Sequence, residues 1–152
     1  MSTLFQEFTQ IVGALNERGI DYAICGGWAM AIHGYARATI DIDVLILSED
    51  LDRAWRLIKE FGYDVEGLPL SFENGTIEIR RLSKIDKESK KLFTIDLLLV
   101  TDPLRQVWNQ RQDIMMRDMK IRTVSKEGLI FLKTLAGRKQ DLADIERLSD
   151  EN

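Results

Sequence analysis

The sequence is poor in the residues that build several common kinds of site. It has one cysteine, one histidine and two prolines in 152 residues. A single cysteine, Cys25, cannot close an internal disulfide and cannot supply a cysteine-rich zinc site, so a reducing, cytoplasmic setting is expected. With so little proline, and with no repeat or low-complexity stretch, nothing marks an interdomain linker. No apolar run approaches the length needed to span a bilayer, and no membrane partner is expected. Residues 1–18 do not read as a signal peptide either. Leu4, Phe8, Ile11, Val12 and Leu15 recur at helical spacing, and Glu7 and Gln10 interrupt any apolar core.

The chain does carry an ordinary globular composition, 45% hydrophobic and 30% charged. At this length the reading is one domain over 1–152. The net charge of −4 argues against a long nucleic-acid track. The charge is uneven, though: nine lysines and arginines between Arg105 and Lys139 face only Asp113, Asp118 and Glu127. Most of these are expected on a solvated helix face and a strand edge.

A coarse pass along the chain gives the order α-β-α-β-α-β-β-β-α-β-α. Strands are expected at 22–25, 40–47, 63–66, 75–82, 92–100 and 120–124, with a turn at Glu73-Asn74-Gly75. The first helix should stop near Gly19. Ser48 reads as the cap of a helix to Phe61 whose inner face is Leu51, Trp55 and Ile58. Ser125 opens a final helix, about 125–149, packing on the rest. The fold class is α/β or α+β, a mixed sheet flanked by helices.

Two strands carry charges that strand propensity does not favour. Asp41 and Asp43, two apart, point to one face while Ile40, Ile42 and Val44 point to the other. Asp96 interrupts Phe93–Val100, where a lone buried charge would cost several kcal/mol. Strands facing solvent would explain each carboxylate alone; three together favour a divalent cation with hard oxygen ligands. Gly26-Gly27, between a strand and a helix, leaves room for a ligand to approach the backbone and exposes N–H groups to a phosphate.

Taken together, Gly26–Gly34, Arg37, Thr39 and Asp41-Ile42-Asp43-Val44 resemble the signature of the polymerase-β-type nucleotidyltransferases. The similarity is to their small bacterial subgroup of abortive-infection and toxin–antitoxin proteins. Lys133–Ile145 is similar to that group's later motifs. Where the family often has Gly-Ser, this chain has Gly27.

The resemblance implies transfer of a nucleoside monophosphate from a triphosphate such as ATP to an acceptor hydroxyl. It implies two magnesium ions, or manganese, on Asp41, Asp43 and Asp96, with Asp96 also the general base. Gly26, Gly27, Arg37 and Lys133 would hold phosphates, with Asp141 orienting them; Arg138 and Asp144 rank behind. The acceptor stays open between a small molecule, a tRNA end and a protein. The larger toxins add a C-terminal helical domain, so either the acceptor is small or a second subunit or partner protein completes its site. His33 is expected to pack at a helix end, and Trp28, Trp55, Trp108 and Cys25 in the core. Two rival readings keep the fold without the chemistry: an idle nucleotide-binding or partner-binding protein, and a structural domain with solvent-facing acids.

Overall fold

The first helix, α1 (Leu4–Glu17), starts where local chemistry tells it to. Thr3 Oγ1 accepts a hydrogen bond from the Gln6 amide, and Gln6 Oε1 accepts one from the Thr3 amide, so two orphan donors are satisfied reciprocally. Phe8, Ile11, Val12 and Leu15 form its buried face. These and all following coordinates come from a computed structural model, which describes residues 3–35 and 39–149.

After α1 come β1 (Ala23–Cys25), α2 (Gly26–Ile32) and β2 (Asp41–Ile46), then a 3₁₀ turn (Ser48–Asp50) and α3 (Leu51–Glu60). Four strands follow, β3 (Val65–Glu66), β4 (Leu70–Phe72), β5 (Ile77–Ile85) and β6 (Leu92–Leu99). A 3₁₀ turn carrying Pro103 (Asp102–Leu104) leads into α4 (Arg105–Asn109), and β7 (Gln112–Met116) and β8 (Met119–Thr123) form a hairpin. Helices α5 (Lys126–Ala136) and α6 (Lys139–Ser149) complete the order. Among the described residues six α-helices flank one eight-stranded sheet, ordered β3-β5-β6-β2-β1-β8-β7 with β4 paired to β5. The β2–β6 and β1–β8 pairs are parallel and the others antiparallel, so the expected mixed α+β sheet is present. Ile24, Ile42, Val44, Leu45, Ile46 and Ile95 from its middle strands are wholly buried, and Phe8, Ile11, Leu57 and Ile58 join them from α1 and α3. No described helix is long and apolar enough to cross a membrane.

Five expectations change. Ser48 opens a 3₁₀ turn and caps nothing with its side chain, so α3 begins at Leu51. Its most buried positions are Ala54, Leu57 and Ile58, with Leu51 and Trp55 only partly covered. The turn at Glu73-Asn74-Gly75 is real, all three with positive φ of 52°, 53° and 85°, but it joins β5 to a strand, β4, that the sequence reading left out. β7 was also missed, because as an edge strand it is mostly exposed and shows no apolar alternation.

The last change matters most. The single helix expected over 125–149 breaks at Gly137, which takes φ of 64° and donates its N–H to Lys133 O at 2.9 Å. Ser125 does cap α5, accepting from the Gly128 amide at 3.0 Å.

Candidate active site

Strands β2 and β6 run parallel with Asp43 opposite Asp96 and Asp41 opposite Thr94. Ile42 and Val44 on one strand, and Ile95 and Leu97 on the other, turn into the core. The alternation therefore sends Asp41, Asp43 and Asp96 together to the other face. The three carboxylates singled out in the sequence are neighbours across two adjacent strands.

Their electrostatics follow from that crowding. Burial pushes the Asp43 carboxyl up to about 7, and the charges of Asp96 and Asp41 add to the shift. Asp41 is raised by burial and then by Asp96, with Arg81 and Arg138 opposing.

The glycine turn lies on the β1 side. Cys25 pairs with Asp43 across β1 and β2, and the chain then turns at Gly26, whose φ is 65°. A Cβ at Gly26 would sit 2.0 Å from Asp43 Oδ2, and one at Gly27 would sit 2.7 Å from Thr39 Cβ. Glycine is needed here so that the Asp43 carboxylate and Thr39 can pack against the backbone. That reason is separate from the close approach of a phosphate and was not visible in the sequence.

On the other side of β6, β5 places Arg81 opposite Asp96. Arg81 Nε donates to Asp96 Oδ1 at 2.7 Å and Nη2 to Oδ2 at 2.9 Å, a bidentate clasp on a carboxylate that is only 5% exposed. Sequence reasoning missed Arg81. Its one signal is phase: in Ile77-Glu78-Ile79-Arg80-Arg81, Arg81 shares a face with Ile77 and Ile79.

Helices α5 and α6 close the site. Lys133, 4% exposed, sits 2.9 Å from Asp144 Oδ2 and 3.7 Å from Asp141 Oδ1. Arg138 Nε donates to Asp141 Oδ2 at 2.7 Å. Burial alone would push the Asp141 carboxyl up, but hydrogen bonds and charge from Arg138, with Lys133, hold it below its ordinary value. In one continuous helix, residues 133 and 144 would stand about 16 Å apart along the axis. The break at Gly137 is what folds α6 back onto Lys133.

A cleft of about 660 Å³ runs over these groups. Gly26, Gly27, Asp41, Asp43, Asp96, Lys133 and Asp141 all line it, as do Arg81 and Arg138. Arg37 lies outside the described residues. The donor chemistry of Asp41 and Asp43 suits a hard divalent cation. Asp96 could join them only on leaving Arg81, and among the described residues no three His, Cys, Asp or Glu are yet drawn together as a metal site.

The other candidates have structural roles. His33 Nε2 hydrogen-bonds to Val124 O at 2.8 Å, Trp28 stacks on Phe8 at 4.0 Å between ring centroids, and Cys25 is 1% exposed. The basic stretch disperses: Arg122 pairs with Asp21 and Asp113, Arg111 lies over Trp108 and Arg117 over Phe5.

Residues 7–148 match the family model described as aminoglycoside-2''-adenylyltransferase. No curated protein sequence matches the chain. Among solved structures, the lincosamide antibiotic adenylyltransferase LnuA with lincomycin bound is similar at a TM-score of 0.61 and 14% identity, over 99% of each chain. ANT(2'')-Ia in complex with adenylyl-2''-tobramycin has a TM-score of 0.64 at 17% identity, over 97% of this chain and 87% of that one. TM1012 of Thermotoga maritima has a TM-score of 0.63 at 15% identity, over 97% and 93%. These identities speak for a common fold, and the toxin–antitoxin association of the motifs has no counterpart in the three. Because the family model covers nearly the whole chain, the protein belongs to the aminoglycoside-2''-adenylyltransferase family, within the polymerase-β-type nucleotidyltransferases.

Proposed function

We propose that this chain is a metal-dependent enzyme that moves a nucleoside monophosphate from a nucleoside triphosphate to a hydroxyl of a small acceptor. The observation that carries the reading is the parallel register of β2 and β6, which sets Asp43 beside Asp96 at the floor of a cleft. Such a concentration of negative charge costs stability unless something positive binds there, as the raised Asp43 pKa of about 7 records. Two magnesium ions, or manganese, held by Asp41, Asp43 and an Asp96 released from Arg81, would neutralise phosphate charge and favour the ionised acceptor oxygen.

The protein's own groups do the rest. The triphosphate lies along the Gly26–Gly27 turn towards Arg138 and Lys133, whose positive charge suits a polyanion. Lys133 is engaged by Asp141 and Asp144, so it contributes mainly through its field, while Arg138, with a side chain 75% exposed, can reach a phosphate directly. Asp96 takes the acceptor's proton as the acceptor oxygen bonds to the α-phosphorus. The bond from that phosphorus to the β-phosphate bridge breaks, and pyrophosphate leaves in line. The two antibiotic-modifying relatives are adenylyltransferases seen with small molecules, which supports ATP as donor and a small acceptor.

The idle, partner-binding reading draws on one observation, the Arg81 clasp that occupies both oxygens of Asp96. Incubation with each α-labelled NTP and magnesium, against pools of small alcohols, RNA and protein, separates the two. Label should enter the small-molecule fraction, and Asp96→Asn should lower the rate about 10²–10⁴-fold. Absence of incorporation from every NTP would sink the enzyme reading.

A further inference from the structure

The cleft has two chemically different sides, with the carboxylates between them. On the β1 side stand the glycine turn and the cations Lys133 and Arg138, with Leu129, Leu132, Leu135 and Ala136 of α5 beside them, so that what sets this side apart is its positive charge. Lys133 lies close enough to Cys25 and Asp43 to oppose the upward shift of both. On the β5 side, beyond Asp96 and Arg81, the lining turns apolar: Leu70 and Phe72 of β4, Ile77 and Ile79 of β5, and Leu98 of β6.

Register makes these five one surface. Leu70 pairs with Ile79, Ile79 with Leu98, and Phe72 with Ile77, so the side chains are cross-strand neighbours on the face that also carries Arg81 and Asp96. Phe72 is 51% exposed, an aromatic left open beside a polar site. Apart from the floor carboxylates assigned to the metal, this side offers a polycation little counter-charge. The Arg81 guanidinium sits on the floor, and Glu73, in the turn after β4, is the one acid among the described lining residues of that side. An in-line displacement places acceptor and leaving pyrophosphate on opposite sides of the α-phosphorus. With the triphosphate on the cationic side, the acceptor falls on the apolar shelf.

We propose that the acceptor is a small amphipathic alcohol of low positive charge, its hydroxyl at Asp96 and its apolar body on Leu70, Phe72, Ile77, Ile79 and Leu98. A polycationic aminoglycoside of the kind that names the family is disfavoured there. The assignment rests on the nucleotidyl-transfer reading above, with the same bond made and broken and the same proton passed to Asp96.

The experiment offers the full chain α-labelled ATP and magnesium with octyl β-glucoside, phenyl β-glucoside or tobramycin, and measures binding of a fluorescent ATP analogue separately. A glycoside should be labelled with a kcat/KM about tenfold or more above that for tobramycin. Ile79→Glu should lower glycoside labelling by about tenfold or more and narrow or reverse the preference, with the ATP analogue bound as before. Phe72→Ser, at an exposed position that threatens folding less, should weaken glycoside use in the same direction. Failure of the wild type to bind the ATP analogue, with no labelling from any other α-labelled NTP, would overturn the nucleotidyl-transfer reading itself. Analogue binding accompanied by preferred labelling of tobramycin, by labelling of RNA or protein alone, or by no use of either glycoside would overturn the acceptor assignment only.

Discussion

Two charge clusters with buried carboxylates stand at the same cleft, and they are built on opposite principles. On the floor, Asp41, Asp43 and Asp96 have one guanidinium bonded among them, that of Arg81 on Asp96, while Lys133 and Arg138 act on them only at a distance. Against the helices, Lys133 and Arg138 face Asp141 and Asp144, two positive charges for two negative. The balanced cluster satisfies itself: Asp141 is held below its ordinary pKa despite burial. The unbalanced one does not, and Asp43 is pushed up to about 7 by burial and by its acidic neighbours. Burial alone therefore does not mark function. Uncompensated burial does, because it leaves interaction energy to be satisfied by a ligand.

The comparison is broken most severely by unbalancing the helix cluster. Lys133→Met leaves Asp144 buried without its ammonium partner and should cost about 3–5 kcal/mol of stability, read from urea unfolding. A loss under about 1 kcal/mol would mean the pair is not the structural clasp described. On the floor, Arg81→Met should cost less stability than Lys133→Met, because Asp96 can then open to the cleft, and should lower transfer by about 10–100-fold, because Arg81 holds Asp96 in place until metal takes it over. Arg81→Lys should restore only part of the rate, since an ammonium cannot form the two parallel hydrogen bonds. Full activity in the methionine variant would show that Arg81 merely fills space.

The smallest effect is the most diagnostic. A carboxyl whose folded pKa is raised from 3.8 to about 7 binds its proton more tightly in the folded state. Metal-free protein should therefore lose stability as pH rises from about 4 to about 7, with the penalty complete above that window. Asp43→Asn removes the penalty, so in EDTA at pH 8 its Tm should exceed wild type by several °C, and the gap should close near pH 4. Magnesium at pH 8 should raise the wild-type Tm and not the variant's. Equal Tm values at pH 8 in EDTA would mean that the floor carries no stored repulsion.

The carboxylates were legible because strand alternation has a period of two: any strand over 41–46 must aim Asp41 and Asp43 together. Asp96 was legible as the one charge in an apolar run. Arg81 was not, since its partner lies fifteen residues away on a strand whose register no local pattern specifies. The short β4 escaped for a related reason, having too few residues to show any period. Gly137 was visible but ambiguous, because an isolated glycine inside a helical pattern is as readily tolerated as it is a stop.

By itself the sequence determined which groups could do chemistry: a Gly-Gly turn, two carboxylates in phase, a third in a later strand, and a cationic stretch near the end. It did so because local propensity and periodicity act over a few residues. Only the tertiary structure decided how those charges are shared. Parallel pairing of β2 with β6 gathers the acids, antiparallel β5 brings Arg81 to Asp96, and the turn at Gly137 gives Lys133 its own two partners. Coulomb energies depend on distance through space, and distance through space is set by register and by helix breaks, which a one-dimensional pattern does not contain.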